Sequence, residues 1–179
     1  MVINMNKGFK SIYIQMYDEN SASEYYELLN ENSIPYEFEY LYKQKLEHNK
    51  KVYILCGEYD KKVIFRTRTV KKIIGYCIVQ DIKSKPESFK NWLDKVYDIP
   101  LNVLEEYPLV ISDFVVSAEY RRMGYGKYLA EYIVYNVYSD KKISLHAVDD
   151  GVFFWDKIGF EYIQGANSVM VLNGDERYA

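Results

Sequence analysis

From residue 113 to residue 128 the chain reads Asp-Phe-Val-Val-Ser-Ala-Glu-Tyr-Arg-Arg-Met-Gly-Tyr-Gly-Lys-Tyr. An apolar strand runs into a short turn, and the turn opens a long helix. The first N–H groups of a helix have no partner inside it. Together with the positive end of the helix dipole they make a site for an anion. Gly124 and Gly126 remove side chains where backbone must approach such a ligand closely. Arg121, Arg122 and Lys127 surround the turn with positive charge. The chemistry suited to this run is the holding of a pyrophosphate.

Two familiar phosphate motifs fit poorly. The Gly126–Lys127 pair is followed by Tyr128 where a nucleotide triphosphatase loop needs Ser or Thr, and the first glycine of that loop would fall at Arg121. A dinucleotide fingerprint needs its third glycine at Leu129 and an early strand–turn–helix unit, and has neither.

The elements around the turn follow from periodicity. Residues 10–17 alternate in polarity and read as a strand. Residues 21–31 read as a helix opened by Ser21 and Glu24 as a capping box. Pro35 opens a second helical stretch to about His48. Residues 51–58 and 71–80 read as strands, with 59–70 as a prolonged hairpin or an extra strand pair. Residues 84–107 interrupt the sheet pattern. Phe89, Trp92, Leu93 and Val96 share one helical face there, so an inserted helix is expected, then a loop around Pro100. A strand at 109–117, a helix at 124–138 and a buried strand at 143–148 come next. A short helix capped by Asp149 or Asp150 stops at Gly159. Strands at 160–163 and 168–172 close the chain. The fold class is α/β, layered α+β, a single domain over 1–179 with a mixed sheet.

The Arg-x-x-Gly-x-Gly at 121–126, the strand Ile-Ser-Asp-Phe-Val-Val before it, and the later Gly-Val-Phe-Phe-Trp-Asp-Lys-Ile-Gly-Phe at 151–160 resemble the acetyl-CoA signatures of the GNAT superfamily of N-acetyltransferases. The order of elements matches along nearly the whole chain, and specific residues match over 109–163. The resemblance implies a mostly antiparallel central sheet with helices on both faces. It implies that the backbone of Arg122, Met123, Gly124, Tyr125, Gly126 and Lys127, with Arg121 beside it, holds the coenzyme A pyrophosphate. The backbone of Phe114, Val115 and Val116 would hydrogen-bond the pantetheine arm, and the strands at 109–117 and 143–148 should splay around the thioester.

Transfer to an amine needs a base, because only the neutral amine attacks. It also needs a donor for the developing oxyanion, which the family takes from backbone N–H. Many family members carry an acid where this chain has Ser112; here the carboxylate is next door, at Asp113. Neighbours on a strand face opposite sides, although a bulge can redirect one. Asp113 is one base candidate, with a structural polar role as its alternative. His146 is the other, since imidazole is the side chain suited to proton transfer near neutrality; its alternative is a hydrogen-bonded structural histidine. Glu105 and Glu106 are further carboxylates. The family often has Tyr at the position of Trp155 as the acid that protonates the thiolate, which an indole cannot do. Trp155 is read as a wall for the coenzyme arm or as core packing, and Tyr162 as a conceivable substitute acid.

Composition bounds the rest. With 49% hydrophobic and 27% charged residues, the 179-residue chain has the make-up of a folded domain. Neither a membrane span nor a secretory leader is seen, so a cytoplasmic setting is expected. The net charge of −3 speaks against nucleic acid as partner. Cys56 and Cys77 lie in apolar runs without ligand spacing, so they read as reduced core residues and no metal is expected. The 20 tyrosines reflect coding bias or an aromatic-lined pocket. The first functional reading is an acetyl-CoA-dependent N-acetyltransferase with an amine acceptor. The others are a non-catalytic acyl-CoA-binding module on the same fold, and an interaction surface at 86–107 that pairs two copies as a homodimer.

Overall fold

A computed structural model of the chain describes residues 8–31, 38–43, 45–47, 49–64, 66–166 and 168–174. The strands are β1 (Ser11–Tyr17), β2 (Lys50–Val63), β3 (Arg66–Asp81), β4 (Leu109–Val116), β5 (Ile143–His146), β6 (Glu161–Tyr162) and β7 (Val169–Leu172). They form one seven-stranded sheet in the order β1-β2-β3-β4-β5-β7-β6. β4 and β5 run parallel, while the β1–β2, β5–β7 and β6–β7 pairs are antiparallel. The expected mixed, mostly antiparallel sheet is therefore present. The helices are α1 (Ala22–Glu31), α2 (Glu39–Lys43), α3 (Glu87–Tyr97), α4 (Leu101–Glu106), α5 (Tyr125–Glu131) and α6 (Val152–Ile158). The chain divides into two compact units, Met1–Ile78 with Phe114–Leu129, and Val79–Asp113 with Ala130–Ala179.

In the first unit, β1 lies against β2 from Ser11↔Glu58 to Tyr17↔Val52. The buried runs at 52–56 and 73–78 are nearly continuous in apolar residues, as strands covered on both faces must be. α1 and α2 cover them with Tyr25, Leu29 and Leu41, joined by Phe38 just before α2. The Tyr25 hydroxyl, fully buried, donates to Leu41 O at 2.7 Å, which removes the cost of an unpaired polar group. The cap of α1 differs from expectation. Asp18, not Ser21, caps the entering 3₁₀ turn, accepting from Asn20 N at 2.9 Å, while Ser21 Oγ accepts from Asp18 N at 2.9 Å. The box thus sits one turn earlier. Of the stretch opened at Pro35, the proline lies outside the described residues, and α2 accounts for the centre. Residues 59–70 are the prolonged hairpin: β2 continues to Val63 and β3 starts at Arg66.

In the second unit the insertion forms two helices. α4 begins directly after Pro100, whose fixed φ of −58° suits a helix start, so the expected loop is a helix instead. Of the four residues expected on one face of α3, Leu93 is buried and Phe89 partly so, whereas Trp92 and Val96 are exposed. Leu93, Ile99, Val103 and Leu104 pack with Val110, Val169 and Val171. Beyond α5, Tyr132–Val137 winds as a π-helix, closed by Tyr138 N–H to Ile133 O at 3.0 Å. Within it the Tyr135 hydroxyl donates to Ile158 O at the end of α6. The N-cap position of α6 falls on Gly151, not on an aspartate, and has no side-chain cap; a 3₁₀ turn, Asp149–Gly151, leads into the helix. α6 ends at Gly159, whose φ of +100° favours glycine.

Candidate active site

Residues 117–124 make the turn between β4 and α5. Ser117 N–H donates to Ile74 O at 2.9 Å, which ties the end of β4 to β3. A 3₁₀ turn, Ala118–Tyr120, follows. Lys72 of β3 pairs with Glu119 at 2.6 Å and lies 5.0 Å above the Tyr120 ring, so this turn is pinned to the sheet from two sides. Arg121 is extended, and its Nε donates to Val116 O at 3.0 Å. Arg122 and Gly124 then take left-handed conformations, φ +62° and +87°. The first bond of α5 is Tyr128 N–H to Gly124 O, 3.0 Å, so the N–H groups of the preceding turn lack helical partners by position. A Cβ on Gly124 would meet no protein atom within 4 Å. Arg121, Arg122 and Lys127 are exposed, Met123 and Gly126 partly so. Backbone donors, positive side chains and open space over a glycine are what a pyrophosphate cradle requires.

Tyr125 differs from its neighbours. Its side chain is fully buried against Tyr120, 5.9 Å between ring centres at 86°, so it offers the cradle its backbone alone. Its hydroxyl has no hydrogen-bond partner among the described residues, and burial raises its pKa.

On β4, Phe114, Val115 and Val116 are partly buried. The β4–β5 ladder covers Leu109↔Ile143, Val110↔Ser144 and Ile111↔Leu145 and stops there, while β4 continues to Val116.

The two base candidates are not brought together. Ile111 and Leu145 are register partners, so alternation puts Ser112 and His146 on one face and Asp113 on the other. Ser112 Oγ accepts from Gln80 Nε2 at 3.0 Å. Asp113 is partly buried. His146 is exposed at the end of β5, its ring centre 6.1 Å from that of Tyr97 in α3. That neighbour was invisible in the sequence, because no periodicity relates residue 97 to residue 146. Glu105 and Glu106 are exposed on α4, and Glu106 pairs with Lys142 at 2.8 Å. Trp155 is 6% exposed, with Phe154 and Phe160 at 4.9 and 5.2 Å, so it packs as a core residue and could meet a ligand only by a small edge. Tyr162 is 55% exposed on β6. Among the described residues no group of three or more His, Cys, Asp or Glu could hold a metal ion. No helix among them is long and apolar enough to cross a membrane.

A strand, a left-handed turn of arginine and glycine, and a helix opening on that turn bring backbone N–H groups and positive side chains together at residues 121–127. Residues 13–160 match the Acetyltransferase (GNAT) family, and the chain belongs to that family. No curated protein matches the chain. Similar solved structures include a mutant AtaT toxin bound to the C-terminus of the antitoxin AtaR, 12% identical, covering 91% of this chain and 93% of that one, TM-score 0.47. The Bacillus subtilis N-acetyltransferase YlbP in complex with coenzyme A is 14% identical over 91% of this chain and 97% of its own, TM-score 0.44. A chimera of spermidine N-acetyltransferase SpeG from Vibrio cholerae and hSSAT is 13% identical over 90% and 96%, TM-score 0.42.

Proposed function

We propose that the chain binds acetyl-CoA at residues 121–127 and transfers the acetyl group to a primary amine of a small molecule or protein. The observation that carries this reading is the left-handed pair Arg122 and Gly124 opening α5 in a chain of the GNAT family. The backbone N–H groups of 122–127 would receive the pyrophosphate, with Arg121, Arg122 and Lys127 offsetting its charge. Arg121 also acts within the protein, since its bond to Val116 O joins the cradle to the strand that is to carry the pantetheine arm. Phe114, Val115 and Val116 would pair with that arm through their backbone, and Trp155 would meet it only at its exposed edge.

In the reaction the ammonium of the acceptor loses a proton to a base, Asp113 or His146. The neutral nitrogen then attacks the thioester carbonyl and a C–N bond forms; the nitrogen gives its second proton to water, the C–S bond breaks, and the thiolate leaves with the electron pair. A primary aliphatic amine has a pKa of about 10, so without a base nearly all of it is unreactive at pH 7. With Trp155 unable to donate, the thiolate takes its proton from water or leaves as the anion. The reading includes a cytoplasmic setting and no metal.

The test is thiol release from acetyl-CoA with a panel of amines, polyamines, aminoglycosides and peptides. Release that depends on one class of amine is expected. Asp113→Asn should lower turnover about 10²–10⁴-fold if Asp113 is the base, and His146→Ala should do so if the imidazole is, each with acetyl-CoA affinity unchanged. Tight acetyl-CoA binding with no acceptor-dependent release would replace this reading by a non-catalytic acyl-CoA-binding module.

A further inference from the structure

His146 lies against an aromatic series contributed by the insertion. Its ring is 6.1 Å from Tyr97; Tyr97 meets Trp92 edge-on at 5.6 Å and 84°; Trp92 meets Phe89 at 5.6 Å. Trp92 and Tyr97 remain 47% and 37% exposed, so both present ring surface to a ligand in water. The insertion sits on the same face of the strands as the imidazole. Val110 and Ser144 are register partners on that face, Ser144 Oγ donates to Tyr107 O at the end of α4, and alternation brings Ser112 and His146 to the same side. Asp113 points to the other.

The charge of this region is mixed but weighted toward carboxylates, of which Glu87 pairs with Lys90 and Glu106 with Lys142. Residues 86–107 hold five carboxylates, Glu87, Asp94, Asp98, Glu105 and Glu106, against Lys90 and Lys95. The series already holds one cation of the chain itself, since Lys85 Nζ lies 5.1 Å above the Phe89 ring. Aromatic faces attract cations through their quadrupole, and an excess of carboxylates raises the local concentration of cationic ligands.

We infer that Trp92 and Tyr97, beside His146, form the acceptor subsite, and that the acceptor is a small aliphatic amine bearing a second cationic group. The inference rests on the amine acetylation proposed above. The reacting nitrogen must be neutral when it attacks, so the cation held on the rings is a different one; it keeps its charge and anchors the molecule. His146 is the base candidate facing these rings. It takes one proton from the reacting ammonium; the neutral nitrogen then forms the C–N bond, gives its second proton to water, and the C–S bond breaks to release the thiolate.

The experiment compares 1,4-diaminobutane and 1,5-diaminopentane with 1-aminobutane and 1-aminopentane as acceptors for the full chain. The diamines should be preferred by about tenfold in kcat/KM, carried by KM, given the few-fold worth of each exposed ring for a cation. Trp92→Leu and Tyr97→Leu should each erase a few-fold of that preference for the diamines while the acetyl-CoA KM stays unchanged. Tyr97→Phe keeps the ring and should keep the preference. Equal use of monoamines and diamines would overturn the subsite while leaving amine acetylation intact. So would leucine variants that keep the preference and change only the sedimentation of the protein, which would make the rings a contact between two copies. Acetyl-CoA binding without thiol release to any amine would overturn amine acetylation itself, and the subsite with it.

Discussion

A Cβ placed on Gly75 would lie 2.7 Å from the carbonyl oxygen of Val115. β3 therefore approaches β4 at the segment proposed to pair with the pantetheine arm as closely as backbone allows. Gly75→Ala must displace that strand, because the opposing atom is backbone and not the end of a flexible side chain. It should destabilise the protein by about 1–3 kcal/mol, as overpacking does, and weaken acetyl-CoA binding as well. Urea unfolding and calorimetric titration would check both. An unchanged affinity in the alanine variant would show that this part of β4 does not position the coenzyme.

Stability should fall on the alkaline side. Burial pushes the Cys56 thiol and the Tyr17 hydroxyl each up to about 12, and raises Tyr25 as well. In the unfolded chain a thiol ionises near 8.5 and a phenol near 10. Between those values and the folded ones the unfolded state binds fewer protons, so unfolding becomes easier as pH rises. The contribution is complete below about pH 8.5 and is lost toward pH 12, the buried thiol setting the first part of the decline at up to about 1.4 kcal/mol per pH unit. Urea midpoints at pH 8 and pH 10.5 should differ clearly, and Cys56→Ala should flatten the decline between pH 8.5 and 10. A midpoint constant up to pH 11 would contradict the burial of these groups.

Tyr125→Phe should be neutral or stabilising. It deletes a buried hydroxyl that has no partner among the described residues and keeps the ring packed on Tyr120. A gain of up to about 1 kcal/mol follows from removing an unsatisfied group. A loss of similar size, together with weaker acetyl-CoA binding, would mean that this hydroxyl serves the bound state.

Ile64→Gly should also stabilise. Ile64 turns the β2–β3 hairpin at φ +49° and is 89% exposed, so its branched side chain strains the backbone and buries almost nothing. A gain of about 1 kcal/mol is expected in urea unfolding; no gain would place the strain elsewhere.

The cradle was legible in the sequence because its parts are contiguous: a strand, two arginines, two glycines and a helix follow one another within residues 109–131. Most element boundaries were legible for the same local reason, through alternation in β1 and β4 and through Gly159 as a helix stop. What was hidden depends on the third dimension. The cap of α1 moved to Asp18 because a 3₁₀ turn precedes the helix, and α4 formed where Pro100 suggested a break. The π-helical winding of Tyr132–Val137 leaves no mark in an apolar stripe that reads as ordinary helix. The proximity of Tyr97 and His146 joins an insertion to a strand nearly fifty residues later. That Asp113 and His146 take opposite faces needed the register of β4 on β5, which spacing alone cannot give.

The central claim, that residues 121–127 hold acetyl-CoA, is tested most directly by thermal unfolding with and without acetyl-CoA. The wild-type chain should gain stability by mass action, about 2.7 kcal/mol at a ligand concentration one hundred times Kd. Gly126→Val, and Gly124→Val, which also strains a φ of +87°, should retain the circular dichroism of a folded protein and lose the shift, because a branched side chain enters the space the pyrophosphate needs. A folded Gly126→Val protein with undiminished affinity would contradict the cradle.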